Sequence, residues 1–414
     1  MAVTELQAPS SGQPISRPLL HYVSSNQTSY SDFYYIIEVY YYPYGGTPGV
    51  AVLIGKFKVF PDPTYSRGLL DVSKIIKGYL QTAFTPTQEL MAWSSDKINV
   101  QYAVKYAEYY NGAEHYPGTW TFTAIAAYYY WSDIINASIL PSYPTAHQWL
   151  TDRDTTQMKV PRQKNFFLPF NNSRFGTIYN TQQIHIDAIN TSTSQSDNFD
   201  RTTDKQACQL NLNSDVIKYI FDNEFTIDID AVVPDYHLDI KAINTHTPLV
   251  TTSTATLIYT CPKAATIQLH FLNRYGVFET MSFEATNRMT QSVERKQYKR
   301  SGIELSSSYV NEFSSFETSS DLGSSYIFST KDTSFYTKQD YGYKLMSDYV
   351  NEQDYYWLKQ LIASPLVYAD YYIPNQQSNY FPVTIKTAQW EQKFSGQDKV
   401  FNLELEINAG QIII

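Results

Sequence analysis

Three short pairs of residues come closest to a chemical site in this 414-residue chain. His185-x-Asp187 and His237-x-Asp239 each set an imidazole and a carboxylate two positions apart, and Asp228-x-Asp230 does the same with two carboxylates. On a β-strand that spacing puts both groups on one face, where they could share a cation. The polar face of an antiparallel strand carries the same pattern without any metal, and no stretch supplies the defined loop of an oxygen-rich calcium site. A carboxylate pair for glycoside cleavage leaves no local trace, because its members come from distant strands.

Other chemistry is thinly supported. The sequence holds no nucleotide-binding glycine loop, no His-Glu-x-x-His pair and no Gly-x-Ser-x-Gly elbow. The two cysteines, Cys208 and Cys261, lack metal or redox spacing, which fits a chain assembled in a reducing cytoplasm. Arg288, Arg295, Lys296, Lys299 and Arg300 form the one basic concentration, interrupted by Glu294. Within a chain of net charge −9 this reads as a solvated face or a salt-bridged subunit contact rather than a phosphate-binding patch. No sequence-specific nucleic-acid binding is expected. An acidic wall would suit a conduit for DNA, but mild acidity is ordinary among soluble proteins. No enzyme activity, cofactor or metal is expected.

The elements that would position any site are strands. The chain contains 37 Tyr, 22 Phe and 6 Trp, concentrated in runs such as Phe33 to Tyr42 and Ala124 to Trp131. Aromatic and β-branched side chains suit a pleated, half-buried surface, and a Tyr hydroxyl can stay hydrated while its ring is covered. Charged residues make up only 17%, so Ser, Thr, Asn, Gln and Tyr carry the polar surface. The first twenty residues show no signal-peptide pattern, so a secretory signal is not expected, and no apolar run reaches the ~20 residues of a membrane span.

The fold class read from this pattern is mainly β, with two or three antiparallel β-sandwich-like domains and a few short helices. Five segments follow: an N-terminal arm over 1–20, a β-sandwich domain with one short helix over 21–140, an irregular connector over 141–205, a second β region over 206–263, and a C-terminal β domain over 264–414. The short helix falls over Asp71 to Leu80, where Asp71 can cap and Val72, Ile75, Ile76 and Tyr79 share a face. A second helix is expected near 354–362, with Asn351 as cap, Tyr355, Leu358, Leu361 and Ile362 as apolar face, and Ser364-Pro365 as stop. The stretch Asn190 to Lys205 has almost no apolar residue and reads as a surface loop or hinge. Phe225 to Val233 reads as a further strand, and Glu391 to Asp398 as a hairpin connection. No fixed-period repeat is visible.

One segment, Leu269 to Arg288 (LHFLNRYGVFETMSFEATNR), runs from an apolar strand through an Asn-Arg-aromatic-Gly turn into an aromatic, acidic strand. It resembles a stretch in virion structural proteins of tailed bacteriophages that infect Bacteroidetes, crAss-like phages among them. Phe33 to Tyr40 with Pro61-Asp62-Pro63 and Gly68 to Val72, and the helix ending Leu361 to Val367, fit the same resemblance. It implies a non-enzymatic tail, neck or baseplate protein, located in the virion and assembled in the bacterial host cytoplasm. The expected partners are copies of itself in a ring and other phage tail or neck proteins.

In such a ring the subunit-contact candidates are Arg274, Tyr275, Arg288, Ile412, Ile413 and Ile414. Gly276 supplies the positive backbone angle of the turn, Asn273 can bond its backbone, and Arg274 can reach a carboxylate or carbonyl nearby or a neighbouring subunit. The three terminal Ile are expected to pack on the parent domain or to add to a neighbour's sheet. A carbohydrate- or receptor-binding β-sandwich protein at the host-attachment end of the virion is the alternative. A surface protein of the host would need an export signal.

Overall fold

A computed structural model describes residues 3–9, 13–43, 50–80, 84, 86, 91–93, 98–125, 148–162, 164–171, 182–190, 195–203, 207–217, 237–244, 253–260, 266–285, 287–299, 332–371, 379–386 and 401–413. The protein is mainly β, and its described strands form five sheets whose pairs are antiparallel, apart from two.

The aromatic run at the start of the chain forms the strand Tyr34–Tyr41, which pairs with Val52–Val59 on one side and Asn99–Tyr110 on the other. The two-residue repeat turns Tyr35, Ile37 and Val39 to the same side as Tyr102, Val104 and Tyr106 on the next strand. These side chains meet Leu19, Val23, Val72 and Ile76, so the five-stranded sheet closes on the three-stranded sheet of Thr4–Gln7, Leu20–Ser24 and Arg67–Asp71. Gly68 lies where a Cβ would come within 2.6 Å of the Tyr35 ring, so a side chain there would push the layers apart.

The expected helix forms as the single turn Ser73–Lys77. Asp71 accepts from the Ser73 backbone N–H at 2.9 Å and from Leu19 N–H at 3.0 Å, so its carboxylate secures the helix start and ties it to the sheet. The connection after the strand Asn99–Tyr110 is a tight turn. Asn111 and Gly112 take positive φ angles of 50° and 74°, and the strand Ala113–Ile125 resumes at once.

Two sheets occupy the middle of the sequence. One orders Gln148–Trp149, Phe167–Asn171, Ala207–Asn211 and Met91–Trp93, and so joins residues from three of the five segments divided above. The other orders Met158–Pro161, Ser253–Thr260, His237–Asn244, Gln182–Asn190 and Gln195–Thr203, with the first pair parallel. Gln195–Thr203 falls where a surface loop was expected. It is held by nine register pairs to Gln182–Asn190, and backbone pairing of an outer strand requires no apolar side chains. Phe225 to Val233 and Glu391 to Asp398 lie outside the described residues.

The C-terminal sheet has seven described strands, in the order Phe278–Phe283, Ile267–Leu272, Val367–Tyr371, Asn379–Ile385, Glu404–Ile413, Asp332–Met346 and Arg288–Lys299. The helix Glu352–Ala363 packs on one face. Its Trp357, Leu358 and Leu361 meet Leu269, Phe271, Phe283, Val367, Leu405 and Ile407, and each fully buried side chain is worth roughly 1.5–3 kcal/mol. Asn351 caps the helix, accepting from Asp354 N–H at 2.7 Å, and Ser364 turns extended before Pro365. The opposite face carries buried Gln268, His270, Thr280 and Asp370. The Phe84 ring stacks there on His270 and Tyr368, at 5.1 and 4.9 Å between centroids.

Candidate functional site

The turn between Ile267–Leu272 and Phe278–Phe283 is fixed from both ends. Asn273 N–H donates to Val277 O at 2.8 Å, and Gly276, at φ 82°, donates to Asn273 O at 3.1 Å. Asn273 Oδ1 accepts from the Tyr275 and Val277 backbone N–H groups, while its Nδ2 donates to Leu150 O at 2.7 Å and to Glu279 Oε1 at 2.6 Å. All four hydrogen-bonding positions of one short side chain are therefore used.

Arg274 and Tyr275 are both directed into the chain. The Arg274 guanidinium donates to Asp152 Oδ1 at 2.6 Å, and the Tyr275 hydroxyl donates to the same oxygen at 2.6 Å. Gln360, on the helix, donates to Asp152 Oδ2 and accepts from the Arg274 backbone N–H at 2.9 Å. The Tyr275 ring is buried, and burial with the neighbouring Asp152 carboxylate pushes its hydroxyl far above the usual phenol range. The partner that Arg274 reaches is thus a carboxylate of its own chain.

Behind the turn lies Glu279, whose carboxyl accepts from Asn273 and from the Trp357 indole N–H. Burial pushes this carboxyl up to about 8, against the opposing pull of Asn273, Trp357 and Thr151. Such a value is what a general acid or base needs, but the group must also reach a substrate, and Glu279 is only 2% exposed. Its chemistry is that of a buried joint between strand and helix. Arg153 extends the joint: its guanidinium carbon lies 5.1 Å from both the Phe166 and Trp357 ring centroids, and its Nε is 3.8 Å from Asp354 Oδ2. A groove of about 610 Å³ opens beside the joint, lined by Asp152, Arg274, Gln353, Tyr356 and Gln360.

The remaining described contact candidates lie on the two strands that flank Asp332–Met346. Arg288 begins the outermost strand, exposed and in register with Lys344, whose own charge is held by Glu406 at 2.6 Å. Ile412 and Ile413 pair through their backbones with Gln339 and Lys338, so the chain end joins its own sheet; Ile414 lies outside the described residues. His185-x-Asp187 and His237-x-Asp239 fall on adjacent strands, His185 opposite Asp200 and Ile243, and Asp187 opposite Lys241. Among the described residues no group of three His, Cys, Asp or Glu is placed to hold a metal, and Asp228-x-Asp230 lies outside them. No helix among the described residues is long and apolar enough to cross a membrane.

The sequence reading missed Asp152, Arg153, Glu279 and Gln360. Trp357 and Gln360, three apart on a helix, share a face with Leu361, and that spacing was available as a signal. Asp152 and Arg153 gave none, because they reach the joint from a loop more than a hundred residues away.

No protein-family model matches the chain, and no curated protein matches it. Among solved structures it is similar to the extracellular region of plexin A4, at 6% identity over 62% of this chain and 24% of that one, with a TM-score of 0.20. It is also similar to the FN1–FN3 domains of chicken CNTN1, at 12% identity over 61% and 66% of the two chains, TM-score 0.15. A third is Salmonella alpha-2-macroglobulin reacted with methylamine, at 11% identity over 97% and 23%, TM-score 0.21. The chain spans about a quarter of the plexin and macroglobulin chains.

Proposed function

We propose that this chain is a non-enzymatic structural protein of a tailed-phage virion, a component of a tail, neck or baseplate ring that associates with copies of itself and with other virion proteins. The observation that carries the self-association is the outermost strand, Arg288–Lys299. It is twelve residues long, is bonded on one side only among the described residues, and is exposed from Arg288 to Tyr298. Long open edges are templates for pairing that a solitary domain avoids. The resemblance of Leu269 to Arg288 to phage virion proteins supplies the setting. The sealed position of Glu279, the most acid-base-like carboxyl described, fits a structural role.

A receptor- or glycan-binding reading needs open aromatic faces. Prominent rings of the N-terminal sheet are occupied by one another instead: Tyr34 stacks on Tyr109 at 4.6 Å, Tyr110 on His115 at 4.2 Å, and Lys58 sits 3.8 Å over Tyr34. The test is location. Gold-labelled antibody against the chain should decorate the tail vertex of purified particles, whereas label confined to the host envelope or to free protein would refute the assignment.

A further inference from the structure

The ribbon formed by Arg288–Lys299 and Asp332–Met346 carries an apolar set that the described residues leave exposed. Met289 is 56% exposed, Val293 45%, Tyr298 45% and Phe335 63%. Met289 and Val293 fall on one face by the two-residue repeat, opposite Tyr343 and Gln339 of the partner strand. Around them the outer strand bears Arg288, Arg295, Lys296 and Lys299 against the single carboxylate Glu294, in a chain whose net charge is −9. Among the described residues no ion pair engages Arg288 or Arg295.

Two arrangements of a second copy would cover this ribbon, and charge separates them. If two outer strands paired with each other about a two-fold axis over their full length, Arg288 of each would lie opposite Lys299 of the other. Like charges directly opposed across strands are destabilising. A contact between the cationic ribbon and a different, acidic face of the next copy has no such conflict, because the rest of the chain carries the excess of carboxylates behind its net charge of −9. Edge cations that discourage pairing with arbitrary strands thus also select an acidic partner.

We propose that this ribbon docks head-to-tail on an acidic face of a second copy, burying Met289 and Val293 and pairing Arg288 and Arg295 with carboxylates of that copy. This rests on the self-association proposed above and specifies which surface performs it. A head-to-tail contact leaves each pair with one free ribbon and one free acceptor face, so further copies can add, and such contacts close into rings when the rotation permits.

The test compares the full-length wild-type chain with Val293→Ser and with the double variant Arg288→Glu/Arg295→Glu by sedimentation velocity across a concentration series. These side chains are exposed, so melting temperatures should stay within a degree or two of wild type, which separates a docking defect from a folding one. Each variant should raise the dissociation constant for self-association by roughly ten-fold or more, and the charge-reversed variant should lose most of the salt dependence. Adding the charge-reversed variant to wild type should shorten the assemblies, since it can still accept a ribbon. Assembly of both variants as tight as wild type would overturn this surface while leaving self-association in place. A wild-type chain that remains monomeric throughout, or one that associates only with another acidic protein, would overturn both.

Discussion

Glu279 accepts a hydrogen bond from the Trp357 indole, and this one contact joins the first hairpin of the C-terminal sheet to the helix that covers it. The second oxygen of the same carboxyl takes Asn273 Nδ2, so strand, turn and helix converge on one buried acid. Because burial raises its folded pKa from the ordinary 4.5 to about 8, the folded chain binds this proton more tightly than the unfolded chain does. The resulting stabilisation is fully present below about pH 4.5 and is lost as pH rises through about 8. Thermal unfolding of Glu279→Gln should show a flatter decline across that window. At the acid end the variant should be weaker by about 1–3 kcal/mol, since the amide nitrogen donates and does not accept, so Asn273 or Trp357 loses its acceptor. An unchanged slope would remove Glu279 from the account.

His21 should respond in the opposite sense. Its Nδ1 lies 2.6 Å from the Tyr106 hydroxyl and its Nε2 3.3 Å from that of Tyr102, and burial pulls the ring down from 6.5 to about 4, with Asp71 acting weakly the other way. The folded state therefore favours the neutral ring. Stability from this site is present above pH 6.5 and is lost as pH falls through about 4. Following Tyr fluorescence during acid titration, His21→Leu should move the acid unfolding midpoint downward, relative to its own stability at pH 7.

At the turn, Asn273→Ala removes four hydrogen bonds at once and should cost about 2–4 kcal/mol in denaturant unfolding. Gly276→Ala forces a side chain to φ 82° and should cost about 1–2 kcal/mol. If Gly276→Ala proved the costlier of the two, backbone strain and not the Asn273 network would dominate the turn.

Asp152 couples the turn to the helix through Arg274, Tyr275 and Gln360. A double-mutant cycle of Asp152→Ala with Tyr275→Phe should give a coupling energy of about 0.5–3 kcal/mol, because both residues meet at one oxygen. Additive effects would mean that the contact contributes nothing of its own.

Much of the scaffold was legible because it depends on local pattern. The aromatic and β-branched run in Tyr34–Tyr41, the Asn351 cap and the Ser364-Pro365 stop all act within a few residues, and each appears where its chemistry places it. Gln195–Thr203 was not legible as a strand, since its polar sequence gives no sign of the neighbour that pairs with it. The same limit hid the joint around Asp152 and Glu279, which assembles from a loop, a strand and a helix far apart in sequence. The aromatic content also divides in a way that sequence alone does not resolve. Tyr35, Tyr102, Tyr106, Tyr259 and Tyr275 fill the protein's own core, whereas Tyr298 and Phe335 stay outside on the ribbon.

At the chain end, Gln411, Ile412 and Ile413 pair with Asp340, Gln339 and Lys338. Deleting 411–414 should strip one side of Lys338, Gln339 and Asp340 and lower solubility, measured as the protein remaining after centrifugation. Unchanged solubility and assembly would show that the terminal pairing is dispensable.

Electron-microscopic class averages of the purified full-length chain test the structural role most directly. The account predicts closed rings of identical subunits whose population grows with concentration. A stable monomer at every concentration, turning over a small molecule, would contradict it.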